Sequence, residues 1–220
     1  VKTINNSFNV EEKDISKIER INTEKSIVYI AYSIQQENKF YDIDLNIPMI
    51  NIKGNIPKEF NKVTQEVFVK KANEVRKNKN NAEKIIYSID YVGYLNDNIL
   101  SIIIKSSLKQ GNNPQRIIIQ TYNYNIETKE KVSLNNIIEQ KNINVQELQN
   151  KINDVLKSVK KEETILINSG YPVYERNLES EIYKIENITN FFLNEEGKLY
   201  IVFAYGNQNF TSEFDIVKYE

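Results

Sequence analysis

"KIIYSIDYVGYLNDNILSIIIKSSLKQGNNPQRIIIQTYNYNI", residues 84–126, decides the fold class. Apolar residues alternate with polar ones or run in short β-branched blocks through 84–95, 98–108 and 115–126, the pattern of strands whose successive side chains point to opposite faces. Asn96-Asp97 is tight-turn chemistry between the first two runs, and "KQGNNP" (109–114) supplies a longer turn before the third. Three strands joined this closely form an antiparallel meander.

Working toward the N-terminus, "SIVYIAYSI" (26–34) places Val28, Ile30, Tyr32 and Ile34 on one face, and "KFYDIDLNIPMINI" (39–52) does the same with Tyr41, Ile43, Leu45 and Ile47. Gly54 breaks the pattern, and Pro57 suits the first turn of a helix, where its missing N–H is not needed. Phe60, Val63, Val67 and Val75 then fall close to one face, which predicts a helix from about Pro57 to Arg76. Residues 1–25, polar and irregular, read as a tether or lead-in.

Working toward the C-terminus, a charged turn at 127–131 is followed by Ser133, placed to cap a short helix that carries Leu134, Ile137 and Ile138. Asn144 and Glu147 have capping-box spacing and open a second amphipathic helix with a stripe of Val145, Leu148, Ile152, Val155, Leu156 and Val159. The loop "NSGYPVYER" (168–176), a short helix "NLESEIYKI" (177–185) and strands at 189–194, 198–206 and 213–219 complete the chain. The fold class is α+β, a mostly antiparallel sheet with two main amphipathic helices packed on it. Residues 26–109 and 110–220 form an N-terminal and a C-terminal part, and with no Pro/Gly/Ser-rich linker between them they are expected to share one core.

Composition narrows the chemistry. The 220 residues include neither cysteine nor histidine, which excludes a disulfide framework, thiolate or imidazole metal sites, and Ser-His-Asp or Cys-His catalysis. No cofactor and no metal is expected. A net charge of −1 from 29 basic and 30 acidic residues argues against a nucleic-acid surface. From Tyr171 onward nine acids face four basic residues, so this end of the chain would attract a basic partner. Heavy use of Ile, Asn and Lys fits AT-rich codons and receives no functional weight. No apolar run approaches the roughly 20 residues of a membrane span. The sequence opens on Val1 rather than Met, and an upstream segment is expected.

Side-chain constellations are sparse. Asp42 and Asp44 share a strand face, as paired carboxylates could, but read as the wet side of an alternating strand. No Gly-rich phosphate cradle occurs. Tyr122 and Tyr124 read as packing groups. Tyr171, Pro172 and Tyr174 lie in a loop, and two readings stay open: an exposed recognition surface, or aromatics folded back onto the core.

The order of three segments carries a family resemblance. "YDIDLNIPMINIKGNIPKEFNKVTQEVF" (41–68), "QGNNPQRIIIQTYNYNIETKEKVSLNNII" (110–138) and "FFLNEEGKLYIVFAYGNQNFTSEFDIVKY" (191–219) resemble the tandem DUF4163/DUF3298-like region of RsiV-type anti-sigma factors, which is also found in some peptidoglycan deacetylases. The resemblance implies the sensor half of a membrane-anchored receptor on the extracytoplasmic face of the membrane. An upstream span would anchor it, and a cytoplasmic segment would hold a sigma factor. The outer domain would bind and inhibit lysozyme without catalysis of its own, and regulated proteolysis would then release the sigma factor. Pro172-Val173-Tyr174 looks like the Pro-x-Tyr recognition loop of this family. Tyr171 would add aromatic area, and Glu175, Glu179 and the loop residue Asn112 complete the expected partner-binding set. The alternative reading is a non-catalytic cell-wall-associated module of a peptidoglycan-processing enzyme.

Overall fold

The computed structural model describes residues 26–220, so the lead-in expected at 1–25 lies outside the described residues. Sheet A holds β1 (Val28–Glu37), β2 (Tyr41–Ile50), β3 (Ile85–Asn96), β4 (Ile99–Gln110), β5 (Arg116–Asn125) and β6 (Glu130–Lys131), side by side in that order. Sheet B holds β7 (Phe191–Leu193), β8 (Leu199–Ala204) and β9 (Phe214–Tyr219). The helices are α1 (Asn55–Arg76), α2 (Leu134–Gln140) and α3 (Val145–Asn168). The architecture is α+β with mostly antiparallel strands, as the alternation predicts.

Every pairing is antiparallel except that of β2 with β3, which are parallel from Tyr41↔Ile85 to Leu45↔Ile89. A parallel pair needs a crossover, and α1 provides it by packing on the face of sheet A that carries Ile43, Leu45 and Ile47. The meander is in place: β3 pairs β4 from Ile85↔Gln110 to Asn96↔Ile99, and β4 pairs β5 from Ile99↔Asn125 to Leu108↔Arg116. Asp97 takes φ 48° in the first hairpin turn, a conformation that Asp and Asn tolerate better than most residues. The junction between the two expected parts of the chain, 109–114, is the β4–β5 hairpin, so sheet A runs through it. The segment expected as a short helix over 177–185 forms instead two single 3₁₀ turns, Glu181–Tyr183 and Ile185–Asn187.

The α1 face differs from the expected one. Phe60 and Val75 are buried, but Val63 and Val67 are 47 % and 56 % exposed. The seam against the sheet passes instead through Asn61, Thr64, Gln65, Val69 and Ala72. Asn61 explains why a polar residue outranks two valines. β2 pairs β3 only as far as Leu45, so beyond that point its inner edge carries unpaired backbone groups. The Asn61 amide accepts from the Ile50 N–H (2.8 Å) and donates to the Ile50 carbonyl (2.9 Å), pairing with the strand as a neighbouring strand would.

The outer edge of β5 is closed the same way, because β6 covers only Tyr124 and Asn125. Asn207 accepts from the Ile119 N–H (3.0 Å) and donates to the Ile119 carbonyl (2.9 Å), while Asn190 accepts from the Thr121 N–H (3.1 Å). The Ile117 N–H donates to the Thr211 carbonyl (3.0 Å), and the Val132 N–H donates to the Asn123 carbonyl (3.0 Å). Arg116 reaches across to the carbonyls of Gly206 (2.7 Å) and Asn207 (3.1 Å). The backbone of β5 leaves no room at Gly206: a Cβ there would lie 1.7 Å from the Ile117 carbonyl oxygen. Across the sheet, buried Ser101 and Asn123 bond each other (2.7 Å) and meet β7 at the Leu193 N–H (3.1 Å) and the Phe191 carbonyl (2.8 Å). A stack of Tyr94, Phe192 and Tyr200, with ring centroids 5.8 and 4.8 Å apart, also joins the two sheets.

Among the described residues, most of the buried apolar side chains fall into two clusters. One lies between α1 and sheet A, and the other gathers α2, α3 and the inner face of sheet B around Leu148, Ile152, Leu156, Ile201 and Val217. β4 contributes to both, with Ile99 in the second and Leu100, Ile102 and Ile104 in the first. Asn61→Leu keeps the branched side-chain shape but leaves both Ile50 backbone groups unpaired. It should cost about 2–3 kcal/mol, read as a lower urea midpoint at unchanged slope.

Candidate functional site

α3 leads into the aromatic loop, and α3, Tyr205 in the turn after β8, and Glu213 and Asp215 around the start of β9 hold that loop in place. Its side chains divide. Tyr171 is 62 % exposed and Pro172 is exposed, whereas Tyr174 is half-buried and stacks on Tyr205 at 4.3 Å between centroids. The Tyr174 N–H donates to Glu213 (2.6 Å). Of the two readings open from the sequence, Tyr171 takes the outward one and Tyr174 the packed one.

Arg176 is the reason the loop turns where it does. Its guanidinium donates to both carboxylate oxygens of Asp215 (2.8 and 3.1 Å), to Glu213 (2.9 Å) and to the Tyr174 carbonyl (2.9 Å). Its own N–H donates to Glu163 of α3 (3.1 Å), and Lys160 donates to the other oxygen of that carboxylate (2.6 Å). Tyr205 donates its hydroxyl to Asp215 and shares a 2.9 Å hydrogen bond with Tyr183. One cation therefore ties α3, the loop and β9 together while only 6 % of its side chain is exposed.

The ionisation of these groups follows from burial and partners. Burial works against the Arg176 charge, yet the hydrogen bonds and charges of Asp215 and then Glu213 raise its pKa above the ordinary value. Burial pushes the Tyr205 hydroxyl up, and its bonds to Asp215 and Tyr183 push it further. Tyr183 is raised as well, chiefly by burial. The hydrogen bond to Glu163 raises Lys160.

The remaining expected residues spread around this centre. Glu175 is exposed and lies 3.4 Å from Lys160, and Glu179 is exposed on the following turn. Asn112 is exposed at the tip of the β4–β5 hairpin and takes no part in the Arg176 cluster. Asp42 and Asp44 sit on β2 in sheet A and are not among the carboxylates that bond Arg176 or Lys160. Among the described residues, no group of three or more His, Cys, Asp or Glu could hold a metal ion, and no helix is long and apolar enough to cross a membrane. The cleft beside Tyr174 and Tyr205 measures about 140 Å³, well below the range of small-molecule sites.

Sequence reading passed over two features. The Arg176 cluster draws its members from α3, the loop and β9, and no local spacing announces it. The run Ile165-Leu166-Ile167 did carry a signal, since three successive residues of a helix cannot all face one core.

No family model matches the chain, and no curated protein matches it. Solved structures similar to it include two proteins of the DUF3298 family. A DUF3298 family protein from Pseudomonas aeruginosa PAO1 has a TM-score of 0.48 and 10 % identity, with 83 % of each chain covered. A member of the DUF3298 family from Bacteroides fragilis NCTC 9343 has a TM-score of 0.43 and 11 % identity, with 81 % of each chain covered.

Arg176→Met would leave buried Asp215 without its cation, while Glu163 keeps Lys160 and the backbone N–H of residue 176. It should destabilise the protein by about 3–5 kcal/mol in chemical denaturation. Tyr205 and Tyr183 titrate near pH 10 when unfolded and higher when folded. Above about pH 10 the unfolded chain loses protons that the folded one keeps, so their contribution is full below that pH and fades as pH rises. Denaturation midpoints from about pH 8 to about pH 11 should fall at the alkaline end, and Tyr205→Phe should make that fall shallower.

Proposed function

We propose that the domain is a non-catalytic protein-binding module: the lysozyme-sensing ectodomain of a membrane-anchored anti-sigma factor. The observation that carries the reading is the loop itself. Exposed Tyr171 and Pro172 are presented beside Glu175, on a backbone fixed by the buried Arg176 cluster. A rigid aromatic anchor needs little further ordering when it docks. The acids that crowd this part of the chain suit a strongly basic partner, and the segment order of an RsiV-type sensor supplies the identity of that partner. In this reading the ectodomain occupies the lysozyme cleft and blocks its substrate. Binding triggers proteolysis of the anchored protein, and a sigma factor held by a cytoplasmic segment is released.

Titration calorimetry with a c-type lysozyme tests the proposal. Binding accompanied by loss of muramidase activity is the expected result. Absence of both heat and inhibition at tens of micromolar protein would sink it. Within the loop the two tyrosines should behave differently. Tyr171→Ala should weaken binding by about 2 kcal/mol with an unchanged melting temperature. Tyr174→Ala, which strips the stack on Tyr205, should lower the melting temperature in a thermal scan.

A further inference from the structure

α3 is longer than the core it packs on. Its buried residues are Leu148, Ile152, Leu156 and Glu163, and every residue from Thr164 to Pro172 is exposed. Within that stretch Ile165 is 65 %, Leu166 42 %, Ile167 43 % and Tyr171 62 % exposed, so apolar side chains surround a projecting helix end. Such a concentration on a surface marks a contact site more often than isolated exposed residues do.

The tip is built rather than frayed. Gly170, at φ 83°, lets its own N–H donate to the Ile167 carbonyl (2.9 Å) while the Tyr171 N–H donates to the Leu166 carbonyl (3.0 Å). This paired arrangement turns the residue after the glycine back toward the last helical turn, where Leu166 stands. The Ser169 hydroxyl secures the Ile165 carbonyl at 2.8 Å. Behind the tip, Glu163 is anchored by Arg176 and Lys160. The apolar surface is therefore held in one shape before any partner arrives, which spares the ordering cost of binding.

We propose that this tip, Ile165, Leu166 and Ile167 with Tyr171, is the apolar anchor by which the domain seats itself in the concave cleft of a cationic protein. The inference rests on the binding reading above and extends its contact surface onto α3. Shape and charge select the occupant. A convex helix end is covered only by a concavity. Between Lys160 and Glu186 six carboxylates stand against four cations, and Glu213 and Asp215 add two more carboxylates at the same cluster. That excess of negative charge repels a second copy docked tip to tip and repels an anionic bilayer, while it draws in a basic surface.

The chain has no cysteine, so Ile165→Cys gives a single labelling site for an environment-sensitive fluorophore. The labelled protein is titrated with a c-type lysozyme, with pancreatic ribonuclease as a second cationic protein with a cleft, with vesicles of equal phosphatidylcholine and phosphatidylglycerol, and with unlabelled protein. In parallel, the unlabelled Leu166→Ser/Ile167→Ser variant is compared with wild type by calorimetry against lysozyme. A blue shift with lysozyme is expected, together with a rise in Kd of at least about tenfold for the double variant at an unchanged melting temperature. Calorimetric binding of lysozyme without a shift and without loss of affinity in the double variant would overturn the anchor and leave the lysozyme reading standing. A shift with ribonuclease but no lysozyme binding would keep the anchor and remove the lysozyme reading. A shift only with vesicles or with unlabelled protein, or with none of the four, would overturn the anchor.

Discussion

Strand edges left without a strand to pair them are the constraint on which the rest of this molecule depends. β3 covers only half of β2, and β6 covers only the end of β5. Asparagine amides finish both jobs: Asn61 on Ile50, Asn207 on Ile119 and Asn190 on Thr121. An amide carries donor and acceptor at the spacing of a peptide group, so it satisfies an exposed edge without adding a strand. Because Asn190 and Asn207 flank β7 and β8, closing the edge of β5 also fixes sheet B against sheet A.

With sheet B fixed, β9 presents Asp215, Glu213 stands just before the strand, and the Arg176 cluster can form. That cluster acts at a distance from its own charges. It spends the Tyr174 ring on packing against Tyr205 and leaves Tyr171 outside, so one loop serves both the core and the surface. It also grips Glu163, the last buried residue of α3, and this is where the helix parts from the body.

The strands were legible because alternation and turn chemistry act over a few residues: Asn96-Asp97 and "KQGNNP" stand where the hairpins turn. The capped helix starts at Ser133 and Asn144 were legible for the same reason, and both side chains accept from backbone N–H groups as their spacing predicts. The face of α1 was misread because hydrophobicity favoured Val63 and Val67, while the unpaired Ile50 backbone required Asn61 at the seam. Asparagine abundance was set aside as codon bias, although particular asparagines close the sheets. Arg176 could not be read locally, since its carboxylate partners lie 13 to 39 residues away along the chain. The exposed run at Ile165 was visible in the sequence but lies beyond Val159, where the amphipathic stripe read from the spacing ends.

The two kinds of joint respond differently to the medium. Asparagine amides carry no charge and bind no proton between acid and alkali, so the closure of β2 and β5 is indifferent to acidity and to ionic strength. The ion pair from Lys160 to exposed Glu175, by contrast, lies open to screening. A dilute medium and a salty one would thus meet the same scaffold carrying a surface of different electrostatic reach, and attraction at the loop could vary without loosening the sheets beneath it.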